Sequence, residues 1–480
     1  MDYKYFPHTS DDLQAMLAKV GVKDLAGLYA QIPEGIRFRG DIPDGRTVGH
    51  SGGAGDYGLP VSMCEQEVRQ LFEKLGGENK RLTCFAGLGV YDHYTPSVIP
   101  SLLQRSEFLT SYTPYQAEIS QGTLHYIFEY QSMMAELTGM DISNASMYDG
   151  TTAAAEAMMM AVAAGKKANK LLVSGCLNPQ TVEVLRTYAL HHGVELEALP
   201  VRDGTTSLDD VKARLAAGGV AGVMVQQPNL YGIVEDFTGF ADACHEQKAL
   251  FIVDSVAADL AVLKTPGEWG ADIAVGDGQS LGIPMMFGGP YVGYMCCTEK
   301  LLRKMPGRIV GMTRDSRGQR AFVLTLQARE QHIRRQKATS NICSNQSLMA
   351  LFVTIYCSLM GKQGLREAAQ LSYAGAHYLC DKLLDTGRFH LAFDKPFFNE
   401  FFVNYDGDAD TLCQRFVEEG FLGGIRLAGD SVVGHASKRD CRVGEASKPC
   451  GGVPGEGILF AVTEKRTKEE IDNLVKIARL

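Results

Sequence analysis

The chain has 480 residues, which is too long for one small core and predicts two or three domains. Its 45% hydrophobic and 21% charged residues are typical of a globular protein, and the net charge of −9 argues against nucleic acid as the main partner. The polar N-terminus has no signal region, and no apolar run approaches the ~20 residues that a membrane helix needs, so we expect a cytoplasmic protein outside the membrane.

The first 80 residues are predicted to form a helical arm. Ser10 is the expected N-cap of the first helix, and Gly21 is its expected end. Residues 35–60 are rich in glycine and proline, which predicts an extended or flexible stretch. Residues 64–77 have the pattern of a second helix.

Residues 81–325 are predicted to form a large α/β domain. Between residues 145 and 297, short β-rich apolar runs alternate with helical segments, which indicates a buried and mainly parallel sheet. Ligands of such sheets bind beyond the carboxyl ends of the strands. Asn229, Asp254 and Gln279 each follow such an apolar run, so we expect all three at that edge.

Residues 326–480 are predicted to form a small α+β C-terminal domain. Its last helix begins at a capping box formed by Thr467 and Glu470. Residues 429–457 are poor in large apolar side chains and are predicted to be an exposed, partly disordered loop insertion.

The twelve cysteines are scattered, without a C-x-x-C pair. We therefore expect free thiols in a reducing compartment and no metal site. Cys441 and Cys450 lie within the predicted insertion and could pair or bind metal, although ordinary loop cysteines are the more common case.

Asp254 and Gln279 together suggest an altered cofactor site. In α/β enzymes that hold pyridoxal phosphate, one strand usually supplies an acid for the pyridine nitrogen, and a later one supplies the lysine of the Schiff base. Here the acid is Asp254, and the second position is Gln279. An amide cannot form an aldimine because its nitrogen lone pair is delocalised into the carbonyl. The pattern predicts a subunit whose working cofactor lies on a partner.

Three long blocks resemble one protein family. They are YTPYQAEISQGTLHYIFEYQSMMAELTGMDISNASMYDGTTAAAEA, GQSLGIPMMFGGPYVGYM and RQKATSNICSNQSLMAL. They resemble the first subunit of glycine decarboxylase, the P-protein of the glycine cleavage system, in its two-subunit bacterial form. The resemblance covers nearly the whole chain except residues 429–457.

The resemblance implies a large domain of the pyridoxal-phosphate-dependent transferase type (fold type I). It also implies an αβ pair, usually doubled to α2β2, whose second subunit carries the lysine-bound pyridoxal phosphate. Glycine is decarboxylated there, and its aminomethyl group passes to the lipoyl arm of the H-protein. The first subunit of this family lacks the lysine, so Gln279 fits the pattern, and no catalytic residue is expected in this chain alone.

Two groups of residues are candidates for contact with the partner's site. Tyr112, Tyr115 and Gln116 lie on a loop stiffened by proline, and in this family the loop is expected to reach toward the partner's active site. Aromatic packing between subunits is the alternative. Tyr91 and His93 are weaker candidates, since a lone histidine is more often a structural hydrogen-bonding group.

Thr339 and Ser340 could contact the cofactor phosphate across the interface or shape the seam between subunits, and the seam is favoured. Asp254 is expected to be a vestige of the cofactor site, although it could be a strand-end acid that binds nearby backbone amides. The basic run at 334–337 is expected to be a solvated face, with an acidic surface of the H-protein as the alternative partner.

The segment DGTTAAAEA lies where related enzymes hold the cofactor phosphate at a helix N-terminus. Asp149 opposes an anion there, so a structural cap by Thr151 or Thr152 is favoured.

Two other functions remain open from the sequence. The chain could be a purely structural scaffold with no residue in an active site. It could also be an independent pyridoxal-phosphate enzyme, in which case Lys264, ten residues past Asp254, would be the anchor.

Overall fold

The computed structural model describes residues 7–37, 63–165, 168–428, 431–432 and 457–480. It has two compact units, Met1–Lys80 and Arg81–Leu480. Most of the glycine-rich stretch at 35–60 and nearly all of the predicted insertion at 429–457, with Cys441 and Cys450, lie outside the described residues.

The first unit contains helices α1 (Ser10–Val20) and α2 (Glu65–Gly77). The predicted cap of α1 is wrong by one residue, because Thr9 and not Ser10 is the N-cap. Thr9 Oγ1 accepts from the Asp12 N–H at 3.2 Å, and the Thr9 N–H donates to Asp12 Oδ2 at 2.8 Å. This capping box needs an acid three residues after the cap, and Asp12 stands in that place relative to Thr9. Gly21, at φ 83°, ends the helix as predicted.

The second unit contains the remaining helices and all the strands of the described residues. The helices are α3 (Val98–Leu103), α4 (Ser106–Leu109), α5 (Gln121–Thr138), α6 (Gly150–Ala164), α7 (Pro179–His192), α8 (Leu208–Ala216), α9 (Phe240–Glu246), α10 (Gln331–Arg334), α11 (Ser347–Leu384), α12 (Ala409–Glu418) and α13 (Lys468–Arg479). The strands are β1 (Thr83–Cys84), β2 (Ile142–Ser143), β3 (Lys170–Val173), β4 (Glu195–Ala198), β5 (Val201–Arg202), β6 (Thr205–Thr206), β7 (Val220–Gln227), β8 (Leu250–Ser255), β9 (Ile273–Asp277), β10 (Gly293–Cys297), β11 (Ile309–Arg314), β12 (Arg320–Thr325), β13 (Phe389–Leu391), β14 (Glu400–Tyr405), β15 (Phe421–Leu422), β16 (Ile425–Ala428), β17 (Ser431–Val432) and β18 (Gly457–Ala461).

A seven-stranded sheet in the order β2-β10-β9-β8-β7-β3-β4 forms the centre of the large lobe. Strands β4, β3, β7, β8 and β9 are parallel, β10 pairs antiparallel with β9 at one end, and β2 pairs antiparallel with β10. Alternate residues of β7 pack on opposite faces of the sheet. Met224 packs with α6, whereas Val223 and Val225 pack with α8 and α9. The predicted, mainly parallel α/β fold is therefore confirmed.

The C-terminal lobe is built on a five-stranded antiparallel sheet, β13-β14-β18-β16-β17. Helices α12, α13 and the second half of α11 pack on it. The predicted capping box of α13 is present, with Glu470 N–H donating to Thr467 Oγ1 at 3.2 Å. The predicted domain boundary at residue 325 stays a prediction, and the packing of Leu326 and Ile342 in the core of the large lobe favours a later one.

Helix α11 is, by length and composition alone, apolar enough to cross a membrane, which the sequence analysis did not expect. It is interrupted at Gly361, where φ is 58° and ψ is −176°. Its first half, from Met349 to Tyr356, packs into the core beneath α5, and residues from Ala376 to Leu383 pack into the C-terminal lobe. This is the packing of a core helix that joins two lobes.

The ten cysteines in the described part of the chain are all unpaired, and six of them are buried. Burial raises the pKa of several of these thiols, among them Cys244 and Cys297, to about 12. Thiols with raised pKa values are poor nucleophiles at neutral pH, so these cysteines have a packing role.

Candidate functional site

The carboxyl edge of the parallel strands brings together the three residues that the sequence places there. Asp254 is the fifth residue of β8, one position earlier than a strand-end residue, and pairs with Gln226 and Val275 on the neighbouring strands. Gln279 follows β9 by two residues, and Asn229 follows β7 by two. The parallel pairing of β7, β8 and β9 therefore places all three at one end of the sheet.

Gln279 is fully buried, and its side-chain amide is saturated by bonds within the chain. Nε2 donates to the carbonyl oxygens of Tyr91 at 2.8 Å and Ile283 at 2.7 Å, and Oε1 accepts from the Tyr91 N–H at 2.9 Å. Both donors of the amide and one acceptor site are in use. Gln279 is therefore a structural hydrogen-bonding group in this chain.

The N-terminus of α6 lies against the same edge and is occupied by carboxylates of the chain. Asp149 caps the helix, with Oδ1 accepting from the Thr152 N–H at 2.8 Å. The Gly150 N–H donates to Asp277 Oδ2 at 2.9 Å, and Asp277 Oδ1 accepts from the Gln279 N–H at 2.8 Å. Asp149, and not Thr151 or Thr152, is the N-cap, because it stands directly before the first helical residue whereas the threonines lie within the first turn. Thr152 completes the capping box by accepting the Asp149 N–H at 3.1 Å.

Two acids at this edge have pKa values shifted upward. Burial raises the pKa of Asp254 to about 7, and the charge of Asp277 adds to the shift. Burial also raises the pKa of Asp277 to about 7, although the amides of Gly150 and Gln279 oppose the shift. An additional anion at this end of α6 would lie beside these acids, and the Gly150 and Thr152 amides are already bonded to carboxylates.

An outward-facing group of side chains lies on the loop between α4 and α5. Tyr112 is 82% exposed and Tyr115 is 53% exposed, while Pro114 between them is buried and anchors the loop. Gln116 is exposed beside them. The Tyr115 ring lies 6.4 Å from the His332 ring and 5.5 Å from the guanidinium of Arg308.

Arg308 links this loop to the segment that contains Thr339 and Ser340. It is 4% exposed, and its Nη2 donates to the Cys343 carbonyl at 2.9 Å. Nη1 lies 3.1 Å from Ser344 Oγ and 3.3 Å from Asn345 Oδ1, while Nε has no partner. Sequence reasoning missed Arg308, and its only signal is a charged residue directly before the apolar strand β11.

Thr339 and Ser340 differ in how available they are. The Thr339 side chain is exposed, and its N–H donates to the Arg329 carbonyl at 3.2 Å. The Ser340 hydroxyl donates to Glu156 Oε1 at 2.7 Å. Burial raises the pKa of Glu156, although the Ser340 hydrogen bond and the charge of His192 oppose the shift. The basic residues at 334–337 are exposed, as expected for a solvated face.

Tyr91 and His93 are buried, and their burial does not support the predicted contact with a partner. The Tyr91 hydroxyl donates to Glu400 Oε2 at 3.0 Å, and His93 Nδ1 lies 2.6 Å from Glu464 Oε2. Both acids belong to the C-terminal lobe, more than 300 residues away in the sequence. Tyr94, which the sequence analysis did not select, is 59% exposed.

Lys264 lies at the surface with its ammonium 3.7 Å from the centre of the Trp269 ring. Asn229 is buried and bonded to Gly204 and Glu235, which makes it a structural residue. Among the residues that the structure describes, no group of three or more His, Cys, Asp or Glu side chains is arranged to hold a metal ion.

Comparison with known proteins gives four findings. Residues 3–431 match the family model described as glycine cleavage system P-protein. A "probable glycine dehydrogenase (decarboxylating) subunit 1" from Moorella thermoacetica is 46% identical over 475 residues, which cover 99% of each chain. A crystal structure of glycine decarboxylase (P-protein) of the glycine cleavage system, in an inhibitor-bound form, is 39% identical with a TM-score of 0.81 and covers 100% of this chain and 99% of that one. At 14% identity, the glutamate decarboxylase of Lactobacillus brevis shares the fold alone, with a TM-score of 0.62 over 92% of this chain and 94% of that one.

Proposed function

The chain belongs to the glycine cleavage system P-protein family, and from this membership we propose that it is subunit 1 of a glycine dehydrogenase (decarboxylating). With subunit 2 it decarboxylates glycine and transfers the aminomethyl group to the lipoyl arm of the H-protein. We propose a cytoplasmic α2β2 complex whose pyridoxal phosphate is bound by subunit 2.

The observation that carries this proposal is the saturation of the sheet edge by the chain's own side chains. Pyridoxal phosphate needs an amine for its aldehyde and free amides for its phosphate. Gln279 offers no amine and both donors of its amide are bonded, while Asp277 and Asp149 accept from the Gly150 and Thr152 amides of α6. These residues do not fit the cofactor, which supports its placement on the second subunit. Asp254 is then a vestige of a cofactor site.

The outward-facing side chains support a role for this chain in completing the partner's site. Tyr112, Tyr115 and Gln116 are exposed on an anchored loop, and Arg308 brings Tyr115 near the segment of Thr339 and Ser340. We propose that the loop contacts the glycine or cofactor region of subunit 2. Thr339 is available to reach the cofactor phosphate across the interface, whereas Ser340 is committed to Glu156 and shapes the seam.

The test is reconstitution with subunit 2 and the lipoylated H-protein, with glycine-dependent release of carbon dioxide as the readout. We expect no activity from either subunit alone and full activity from the mixture. Activity of this chain alone would contradict the proposal and favour an independent enzyme anchored on Lys264.

The scaffold alternative is tested with Tyr115→Phe and Gln116→Ala in the same mixture. We expect lower turnover with unchanged assembly, because both side chains present polar groups at the surface. Tyr373→Phe is the matched control, because this exposed tyrosine packs against His377 in the C-terminal lobe. Unchanged turnover for both loop variants would favour the scaffold.

A further inference from the structure

Among the described residues, four glutamines each hold another residue by both of its backbone polar groups. In each case Oε1 accepts the backbone N–H and Nε2 donates to the backbone carbonyl of the same residue, as in one rung of a β-ladder. The pairs are Gln121 with Phe322, Gln131 with Val310, Gln227 with Glu235, and Gln279 with Tyr91.

We call this pair of hydrogen bonds from one glutamine to one backbone residue a clasp. The clasp made by Gln279 differs from the other three because it acts on a segment held between two lobes. We call residues 87–95 the strap. On the large lobe, Asn178 Nδ2 donates to the Leu88 carbonyl at 3.1 Å, and Gln279 holds Tyr91. On the C-terminal lobe, Glu400 Oε1 accepts from the Leu88 N–H at 2.6 Å, and its Oε2 accepts from the Tyr91 hydroxyl.

The far end of the strap is fixed in the same way. Glu464 of the C-terminal lobe receives the Tyr94 N–H at 2.7 Å and holds the His93 ring. The Thr95 hydroxyl donates to the Gly282 carbonyl of the large lobe at 2.6 Å. Tyr94 lies between these anchors, and its ring is exposed whereas those of Tyr91 and His93 are buried.

We propose that Gln279 is a positioning residue: by clasping Tyr91 it fixes the strap, and with it the exposed Tyr94, in the geometry that completes the site shared with subunit 2. This inference rests on the proposed function. A lysine at this position could not accept the Tyr91 N–H, so the amide is required for the clasp. Gln279 therefore has a role of its own in orienting a contact surface, in addition to standing where a catalytic lysine is expected.

The test compares Gln279→Met with Gln227→Met in the reconstituted complex. Both substitutions keep the side-chain length and remove a bidentate clasp from a buried glutamine of the large lobe, but only the first frees the strap. We expect kcat/KM for glycine to fall on the order of tenfold for Gln279→Met, because small displacements of positioned groups have effects of this size. Gln227→Met should stay within about twofold of the wild type when both are assayed well below their melting temperatures.

Tyr94 is exposed, so Tyr94→Ala carries the test even where Gln279→Met does not fold. Tyr91→Phe keeps the clasp and removes only the bond to Glu400, so it measures what this second anchor of the strap adds. We expect it to lower kcat/KM in the same direction by a smaller factor. Tyr94→Ala should lower it as well, and the double variant Gln279→Met/Tyr94→Ala should be no worse than the more impaired single variant, because both act through one side chain.

The outcomes separate the two proposals. If the wild-type chain is inactive when mixed with subunit 2 and the lipoylated H-protein, the proposed function is contradicted. With an active wild type, the inference is overturned if Gln279→Met behaves like Gln227→Met, if Tyr94→Ala equals the wild type, or if the effects of Gln279→Met and Tyr94→Ala simply multiply.

Discussion

Two regions of the large lobe use similar polar side chains in opposite ways. The inward edge, formed by Asp149, Asp254, Asp277 and Gln279, lies at the carboxyl ends of the strands and, apart from Asp254, is committed to backbone groups of the chain. The outward face, formed by Tyr112, Tyr115, Gln116 and Thr339, presents exposed side chains, and the buried Arg308 supports it from beneath.

The inward edge and the outward face therefore have different roles in a subunit of this kind. In an α/β enzyme the inward edge is the expected ligand site. Here that edge stabilises the chain, and we propose that the outward face is the surface that meets the partner. Substitutions at the inward edge should therefore act first on the stability of the free chain, and substitutions of exposed groups on the outward face should act on the complex.

The largest expected effect is that of Gln279→Lys at the inward edge. It should lower the free energy of unfolding by ~3–5 kcal/mol, because it removes the bonds to Tyr91 and Ile283 and buries an ammonium without a designed partner. Urea denaturation measures the change. Gln279→Met, which loses the same bonds without adding charge, should cost less. A lysine variant as stable as the wild type would contradict the stabilising role of the inward edge.

Arg308→Gln should have the next largest effect, because Arg308 supports the outward face from beneath. It should cost ~2–4 kcal/mol, since the buried guanidinium bonds to Cys343, Ser344 and Asn345. Arg308→Lys keeps the charge but loses the paired nitrogen donors of the guanidinium, so it should retain only part of the stability. Amide hydrogen exchange at residues 343–345 should rise in both variants, and unchanged protection there would contradict this account.

The fold and part of the site follow from local sequence patterns. Apolar runs predict the parallel sheet, and the Thr467–Glu470 spacing predicts the start of α13, because both depend on neighbours in the chain. The burial of Tyr91 and His93 depends on Glu400 and Glu464, more than 300 residues away, and no local pattern encodes it. Arg308 was missed for the same reason, since its partners lie 35 to 37 residues further on.

Asp254→Asn should stabilise the chain in a pH-dependent way. Burial raises the pKa of Asp254 to about 7, above its usual ~3.9, so the folded state holds this proton more tightly than the unfolded state. Stability is then lost as pH rises from about 4 to 7, and the loss persists above that range.

Asparagine does not titrate, so the variant should gain ~1–2 kcal/mol at pH 8 and nothing at pH 4. Thermal unfolding across this range measures the gain. Asp381→Asn, an exposed acid on α11, is the control for the change in net charge. Equal gains at both pH values would show that the ionisation of Asp254 is not the cause.

The smallest effect on the free chain is expected for Tyr112→Ala on the outward face. Because the ring is 82% exposed, the free energy of unfolding should change by less than ~0.5 kcal/mol. Affinity for subunit 2 should nevertheless fall on the order of tenfold, as for an exposed aromatic anchor. Leu190→Ala, an exposed apolar residue on α7, should leave the affinity unchanged. If Tyr112→Ala and Leu190→Ala bind subunit 2 with equal affinity, the outward face is not part of the interface.

The central claim is that this chain completes a site whose cofactor is bound elsewhere. The direct measurement is visible absorbance with pyridoxal phosphate, for the chain alone and mixed with subunit 2, followed by borohydride reduction and mass mapping of the label. We predict an aldimine band at ~400–430 nm only in the mixture, with the label on a lysine of subunit 2. A reducible aldimine on Lys264 or any other lysine of this chain alone would contradict the account.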